Sequence, residues 1–394
     1  MLGVAQAVRR SSRARGAWRA VLWAGALAML AACTGITPAA PPQTPATVGT
    51  GEIKVGLILP LSAPGNAGVA AQSMKNAADL ALAEFNNPNI QLLIKDDGGT
   101  AQGAQLAAQQ ALAEGAEIII GPLFAHSVGV VGQAARNRGV PVIAFSTDAN
   151  VATRGIYLLS FLPESDVDRI VEYAVTHGKR SFVAMVPDNA YGTVVEAAFK
   201  QSTARRGARI VALERYPLDP NQMTGPAGRV AQAARSADAL FIPDGADAVP
   251  VVVQALTTAG LPPKRLQLLG TGLWDDARIF NDDKLAGAWY TAPDPNGFRN
   301  FSGRYRGRYG QDPLRTATLA YDAVALVAAL VKTQGDQRFS ETTLTNASGF
   351  AGIDGIFRFR ADGTNQRGLA VMKVAPGGGQ IINPAPRAFP GSGT

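Results

Sequence analysis

The chain has 394 residues, 47% of hydrophobic type and 17% charged, with a formal net charge of +7. Five arginines (Arg9, Arg10, Arg13, Arg15 and Arg19) and no acid stand in the first 32 residues, so losing that segment lowers the formal charge by five, to +2. A balance so near zero gives no electrostatic case for nucleic acid or for an anionic membrane surface. The single cysteine, Cys33, excludes an internal disulfide and a multi-thiolate metal site.

Residues 1–32 have the layout of a secretion signal: an arginine-rich start, then an apolar stretch from Ala20 to Ala32. That stretch is shorter than the roughly 20 residues a mature membrane helix needs. It ends in Leu30-Ala31-Ala32-Cys33, which resembles the lipobox of bacterial lipoproteins. The resemblance implies cleavage before Cys33 and lipid attachment to its sulfur, leaving the protein periplasmic and lipid-anchored to a membrane. Residues 33–51 carry Pro38, Pro41, Pro42 and Pro45 without charge until residue 52, and read as an extended tether with too much proline for an ordered strand.

From Ile53 onward short β-rich runs alternate with segments of helical length. The runs are Ile53–Leu61, Ile90–Lys95, Glu117–Gly121, Pro141–Phe145, Ser181–Val186, Arg209–Leu213, Ala239–Ile242 and Gln267–Leu269. Between them lie Ala70–Phe85, Ala101–Glu114, Ser127–Arg138, Tyr191–Arg206, Pro226–Arg235 and Asp247–Ala259. Strand-helix-strand order with apolar strands predicts an α/β fold of parallel sheets covered on both faces. The alternation breaks at Tyr157–Glu164, dividing it into two blocks. Trp289–Pro293 reads as another extended crossing, Phe298–Lys332 is helix-rich, and Ile356–Val374 reads as two strands joined at Ala361-Asp362-Gly363.

Four segments taken together carry a family likeness: Gly51–Ser62, Ile119–Leu123, Pro141–Ser146 and Pro187–Gly192. In order and spacing they resemble the type I periplasmic binding proteins of the leucine/isoleucine/valine group. Within that group the chain looks closest to lipoproteins described as penicillin-binding-protein activators. The resemblance implies two lobes joined by three crossings. Residues 52–161 plus 292–355 form lobe one, residues 162–291 plus 360–380 form lobe two, and residues 381–394 are a tail. The ligand would lie in the cleft between the lobes.

In open parallel sheets ligands bind beyond the carboxyl ends of strands, where loops and helix starts present unpaired N–H groups. That rule selects the loops holding Ser62, Phe124, Ser127, Ser146, Thr147 and Asp148 in lobe one, and Tyr191, Asp244, Trp274 and Asp275 in lobe two. Ser127 reads either as a helix cap or as part of a carboxylate site. Asp148 reads as a turn cap or as a partner for an ammonium group. By resemblance, Tyr191 sets an aromatic ring against the ligand; a helix-start tyrosine packed on its own lobe is the alternative. Where amino-acid binders of the group present a glutamate, this chain has Gly270-Thr271-Gly272-Leu273-Trp274-Asp275, so Asp275 becomes the substitute and Trp274 an apolar cleft wall.

Catalysis finds no motif. His126 and His177 have no metal-type spacing, and there is neither a nucleophile elbow nor a phosphate loop, so no enzyme activity, cofactor or metal is expected. The arginine-rich run Phe298–Tyr309 puts Arg304 and Arg308 on one helix face and reads as a solvated surface or a site for an acidic partner. Two functions remain open: a solute receptor serving an ABC permease, and a regulatory lipoprotein touching a cell-wall synthase.

Overall fold

The computed structural model describes residues 47–389 other than 87, 218, 220 and 221. The first block is β1 (Thr47–Val48), β2 (Ile53–Leu59), α1 (Asn66–Glu84), β3 (Ile90–Asp96), α2 (Ala101–Ala113), β4 (Ile118–Ile120), α3 (Ala125–Arg136), β5 (Val142–Ala144) and β6 (Ile156–Leu158). The second is α4 (Pro163–Thr176), β7 (Ser181–Pro187), α5 (Ala190–Arg205), β8 (Arg209–Tyr216), α6 (Thr224–Ala233), β9 (Ala239–Phe241), α7 (Val249–Thr258), β10 (Gln267–Leu269), α8 (Ala277–Phe280) and β11 (Trp289–Ala292). Then come α9 (Pro295–Tyr309), α10 (Ala317–Thr333), α11 (Glu341–Leu344), β12 (Phe350–Gly352), β13 (Gly355–Phe359), β14 (Asn365–Arg367), β15 (Ala370–Ala375) and β16 (Gly378–Asn383).

Side-chain alternation along each strand sorts its residues between two helical layers. Val55, Leu57 and Leu59 of β2 face α1 and α10, whereas Ile58 faces α2 and α3. Ile118 and Ile120 of β4 follow the first set and Ile119 the second. In the second sheet Val183 and Met185 of β7 pack toward α6 and α7, and Phe182, Ala184 and Val186 toward α4 and α5. Burial on both faces is why these strands read as unbroken apolar runs.

The two sheets share one winding. Lobe one has the order β1-β3-β2-β4-β5-β6, parallel except for β1. Lobe two has β8-β7-β9-β10-β11 in parallel, continued antiparallel by β15 and β16. Strand order reverses between β2 and β4 in one sheet and between β7 and β9 in the other. These are the switch points at which open α/β sheets leave a crevice.

Three segments differ from expectation, and one of them is α4, which fills a stretch for which the sequence predicted no helix. The end of the tether is a short strand: Thr47 and Val48 pair with Leu93 and Leu92 on the open edge of β3. All four prolines precede it, and a β-branched pair suits an edge with unpaired backbone groups. The segment 356–374 is three strands rather than two. β14 pairs with β13, whose Phe357 and Phe359 share a core with β2 and α10, so the chain joins the second sheet at β15 rather than near residue 360. In the same core α10 buries Leu319, Ala323, Val327 and Leu330 against α1 and the first sheet.

The crossings are tied by buried polar groups. The guanidinium groups of Arg315 and Arg367 both lie over the Phe161 ring, 5.0 Å and 4.6 Å from its centroid. Arg367 Nε donates to Ser160 O at 2.9 Å, and Asn365 donates to Leu158 O and Ser160 O at 2.8 Å each. Asp354 accepts from Arg315 at 2.5 Å and from Thr318 at 2.6 Å. Beside them Asp322 is buried, and burial pushes its carboxyl up to about 7 despite the nearby Arg367.

Candidate functional site

The lobe-one loops hold the expected residues at strand ends, but not all in the expected roles. The Ser62 backbone donates to Asp96 Oδ1 at 3.1 Å, closing the loop after β2. After β4 the cap position of α3 is Phe124, whose ring stacks on His126 at 5.5 Å and which supplies no side-chain cap. Ser127 is therefore no cap. The helix starts two residues earlier than the sequence suggested, which turns Ser127 inward at its third position, fully buried and with a hydroxyl that has no hydrogen-bond partner. After β5, Ser146 Oγ accepts from the Asp148 backbone at 3.1 Å, and Asp148 Oδ1 caps a 3-10 turn through Asn150 N at 3.0 Å. Thr147 between them is exposed.

In lobe two Asn189 caps α5 by accepting from Gly192 N at 2.8 Å, which fixes Tyr191 at the helix start. The Tyr191 hydroxyl lies 3.1 Å from Thr271 Oγ1. Burial raises its pKa, and the charges of Asp166 and Asp244 add to the rise. Asp244, after β9, accepts from the Tyr216 hydroxyl and from Gly245 N at 2.7 Å. After β10, Asp275 is exposed and accepts from the Tyr290 hydroxyl at 3.1 Å.

Trp274 is not a cleft wall. Its side chain is fully buried in the lobe-two core, and its indole N–H donates to Ile242 O at 3.0 Å. The ring lies so close over Gly270 that a Cβ there would come within 2.2 Å of it. A 3-10 turn over Gly272–Trp274 sends the indole inward and leaves the neighbouring Leu273 exposed, which no propensity at this position signalled.

Sequence reasoning missed Asp166, in the first turn of α4. Thr291 Oγ1 donates to its Oδ1 at 2.6 Å and Gly272 N–H also donates to it. Burial pushes this carboxyl up to about 6, with both hydrogen bonds opposing the rise. An acid in a helix first turn, just after Pro163, is ordinary by local rules. Only the tertiary neighbours set it apart. Glu164, in the same turn, is also raised by burial, and the charge of Asp148 in lobe one adds to the rise.

Among the described residues no cluster of three or more histidine, cysteine or acidic side chains is arranged to hold a metal ion. His177 Nδ1 donates to Tyr173 O at 2.8 Å, and His126 Nε2 donates to Gly99 O at 3.1 Å. Arg304 is held by Glu84 at 2.9 Å and Arg308 lies over the Tyr309 ring. No described helix is long and apolar enough to cross a membrane. Cys33, the signal, most of the tether and residues 390–394 lie outside the described residues.

Known proteins share this fold. A Leu/Ile/Val-binding protein homolog of Brucella melitensis is 24% identical over 229 residues, covering 56% of this chain and 58% of its own length. A 103-residue stretch is 27% identical to a penicillin-binding protein activator of Vibrio cholerae, covering 25% of this chain and 17% of the activator. The crystal structure of a Rhodospirillum rubrum protein assigned to branched-chain amino acid ABC transport superposes with a TM-score of 0.74 at 18% identity, over 84% of this chain and 99% of that one. The sequence pattern of the periplasmic binding proteins matches residues 52–380, and the chain belongs to that family.

Proposed function

We propose that the protein is a lipid-anchored receptor that captures a small polar, amino-acid-like solute between its lobes and presents it to an ABC importer. The observation that carries this reading is the pair of switch points. Ser62 and Phe124 stand at one and Tyr191 and Asp244 at the other, each just beyond a strand end. Ser146, Thr147 and Asp148 extend the lobe-one face, and Thr271 and Asp275 the lobe-two face. Rotation about the crossings then closes the lobes and creates a surface that exists only around a bound solute.

A thermal-shift screen of the mature chain against amino acids, amides and peptidoglycan fragments tests the reading, because a ligand that binds only the native state raises the melting point. With a ligand in hand, Tyr191→Ala should weaken binding by about 1–3 kcal/mol through lost aromatic contact and hydrogen bonding. Unchanged affinity would place the site elsewhere. The partial likeness to the Vibrio cholerae activator supports a second reading, a regulator of cell-wall synthesis. That reading gains if no solute shifts the melting point while a purified cell-wall synthase binds, with equal affinity for the Tyr191→Ala variant.

A further inference from the structure

We infer that residues 384–389 are a strap that crosses back from lobe two to lobe one and restrains the angle between the lobes. This concerns the hinge and does not depend on which solute the cleft takes. The first ground is the path of the chain. β15 and β16 pair antiparallel in the lobe-two sheet, with Asn383 opposite Val371. Six residues further on, the Phe389 side chain is 3% exposed and packs on lobe one. The Arg358 guanidinium of β13 lies over its ring at 4.5 Å, and a Cβ on Gly349, just before β12, would stand 2.9 Å from it. β13 also carries Phe357 and Phe359 of the lobe-one core. The two ends of the segment are therefore anchored in different lobes.

The second ground is what the segment runs beside. The third crossing passes from β14 to β15 through Gly368 and Leu369. Pro386 lies against Gly368, where a Cβ would come within 3.2 Å of both its ring and its carbonyl oxygen. Arg169 of α4 reaches the outgoing and the returning segment together: its Nε donates to Leu369 O at 2.9 Å and its Nη2 to the Asn383 side chain. A single extended crossing absorbs a hinge rotation by changing a few backbone angles. Two segments packed side by side, gripped by one lobe-two side chain and ending in lobe one, cannot turn independently.

The third ground is the strap's own build and the space beside it. Pro384-Ala385-Pro386 holds two prolines, which fix φ and favour an extended, semi-rigid path. Six residues reach about 20 Å at full extension, so the strap caps how far Asn383 and Phe389 can part. Next to it lies a groove of about 620 Å³, lined by Ser165, Asp168 and Gln201 of lobe two and by Gln366, Pro386 and Phe389 on the other side. The lobes are not packed solidly together here, which leaves room for rotation that the chain's own ties must limit. A narrower range of open angles leaves less freedom to lose when the lobes close on a solute.

Distances between spin labels, measured by pulsed electron paramagnetic resonance, test the inference. Val69→Cys on α1 and Leu273→Cys after β10, both exposed, report between the lobes in the mature chain carrying Cys33→Ser, which has no other thiol. Val69→Cys with Leu106→Cys on α2, also exposed, reports on the fold of lobe one. The deciding variant inserts Gly-Gly-Ser-Gly between Pro384 and Ala385, which keeps Phe389 in its socket and gives the strap slack. It should widen the interlobe distance distribution at least twofold and leave the distribution within lobe one unchanged. Phe389→Ala, which frees the far end, should widen the interlobe distribution as well. If Phe389→Ala disturbs the lobe-one distances, the insertion variant decides alone. An insertion variant with an interlobe distribution as narrow as the parent's overturns the inference, because the segment is then packing and no restraint. A parent distribution already as broad as the variant's overturns it too.

Discussion

Replacing Trp274 by alanine tests whether this side chain is a structural wedge. The indole is fully buried in a core with Leu240, Ile242, Leu268 and Ile279 and packs directly over Gly270, which has no side chain to fill the space the indole would leave. Truncating a buried tryptophan costs about 3–5 kcal/mol when the site cannot collapse. The lost hydrogen bond to Ile242 O adds little, because that carbonyl still accepts from Asp244 N at 3.0 Å and is not left unpaired. Trp274→Phe keeps most of the volume and should cost only about 1–2 kcal/mol. Urea unfolding followed by far-ultraviolet circular dichroism measures both, read on the transition of lobe two if the lobes unfold separately. The alanine variant should also lose solute binding, because the turn it anchors carries Thr271 and Gly272, the partners of Tyr191 and Asp166. An alanine variant within about 1 kcal/mol of the parent would refute the wedge and return Trp274 to the cleft.

Three further outcomes are expected. Gly192→Ala should destabilise lobe two by more than about 2 kcal/mol and raise its protease sensitivity, because a Cβ there would stand 1.7 Å from Pro187 O. For Asp322 the folded carboxyl binds its proton more tightly than the unfolded one, so stability should fall as pH rises from about 4 to about 7, with Asp166 contributing in the same direction. Asp322→Asn, which still accepts from Ile353 N, should remove a loss on the order of 2–4 kcal/mol, seen as a flatter dependence of urea midpoints on pH. Cys33→Ser should abolish labelling by a fatty-acid probe in cells, and persistent labelling would refute the lipobox reading.

Local rules carried the sequence a long way. The apolar run of Ile53–Leu59 and the helix expected from Tyr191 each depend on residues within a few positions, so the α/β class and the place of Tyr191 at a helix start were legible without a structure. The one cysteine alone excluded disulfides. Legibility ended where a residue's role depends on a partner distant in the chain. Asp166 is defined by Thr291, 125 positions away, Tyr191 by Thr271, 80 away, and Arg367 by Ser160, 207 away. Ser127 and Trp274 were misplaced for a related reason. A shift of two residues in a helix start, or a single 3-10 turn, rotates a side chain from solvent to core, and packing rather than propensity chooses between them. The sequence by itself determined the α/β class and most of the strands and helices, though not β1, α4 or β14, because most of these elements are set by periodicity over a few residues. Only the tertiary structure decided which polar side chains are buried and which distant residues they meet, because that depends on how the ends of different strands come together.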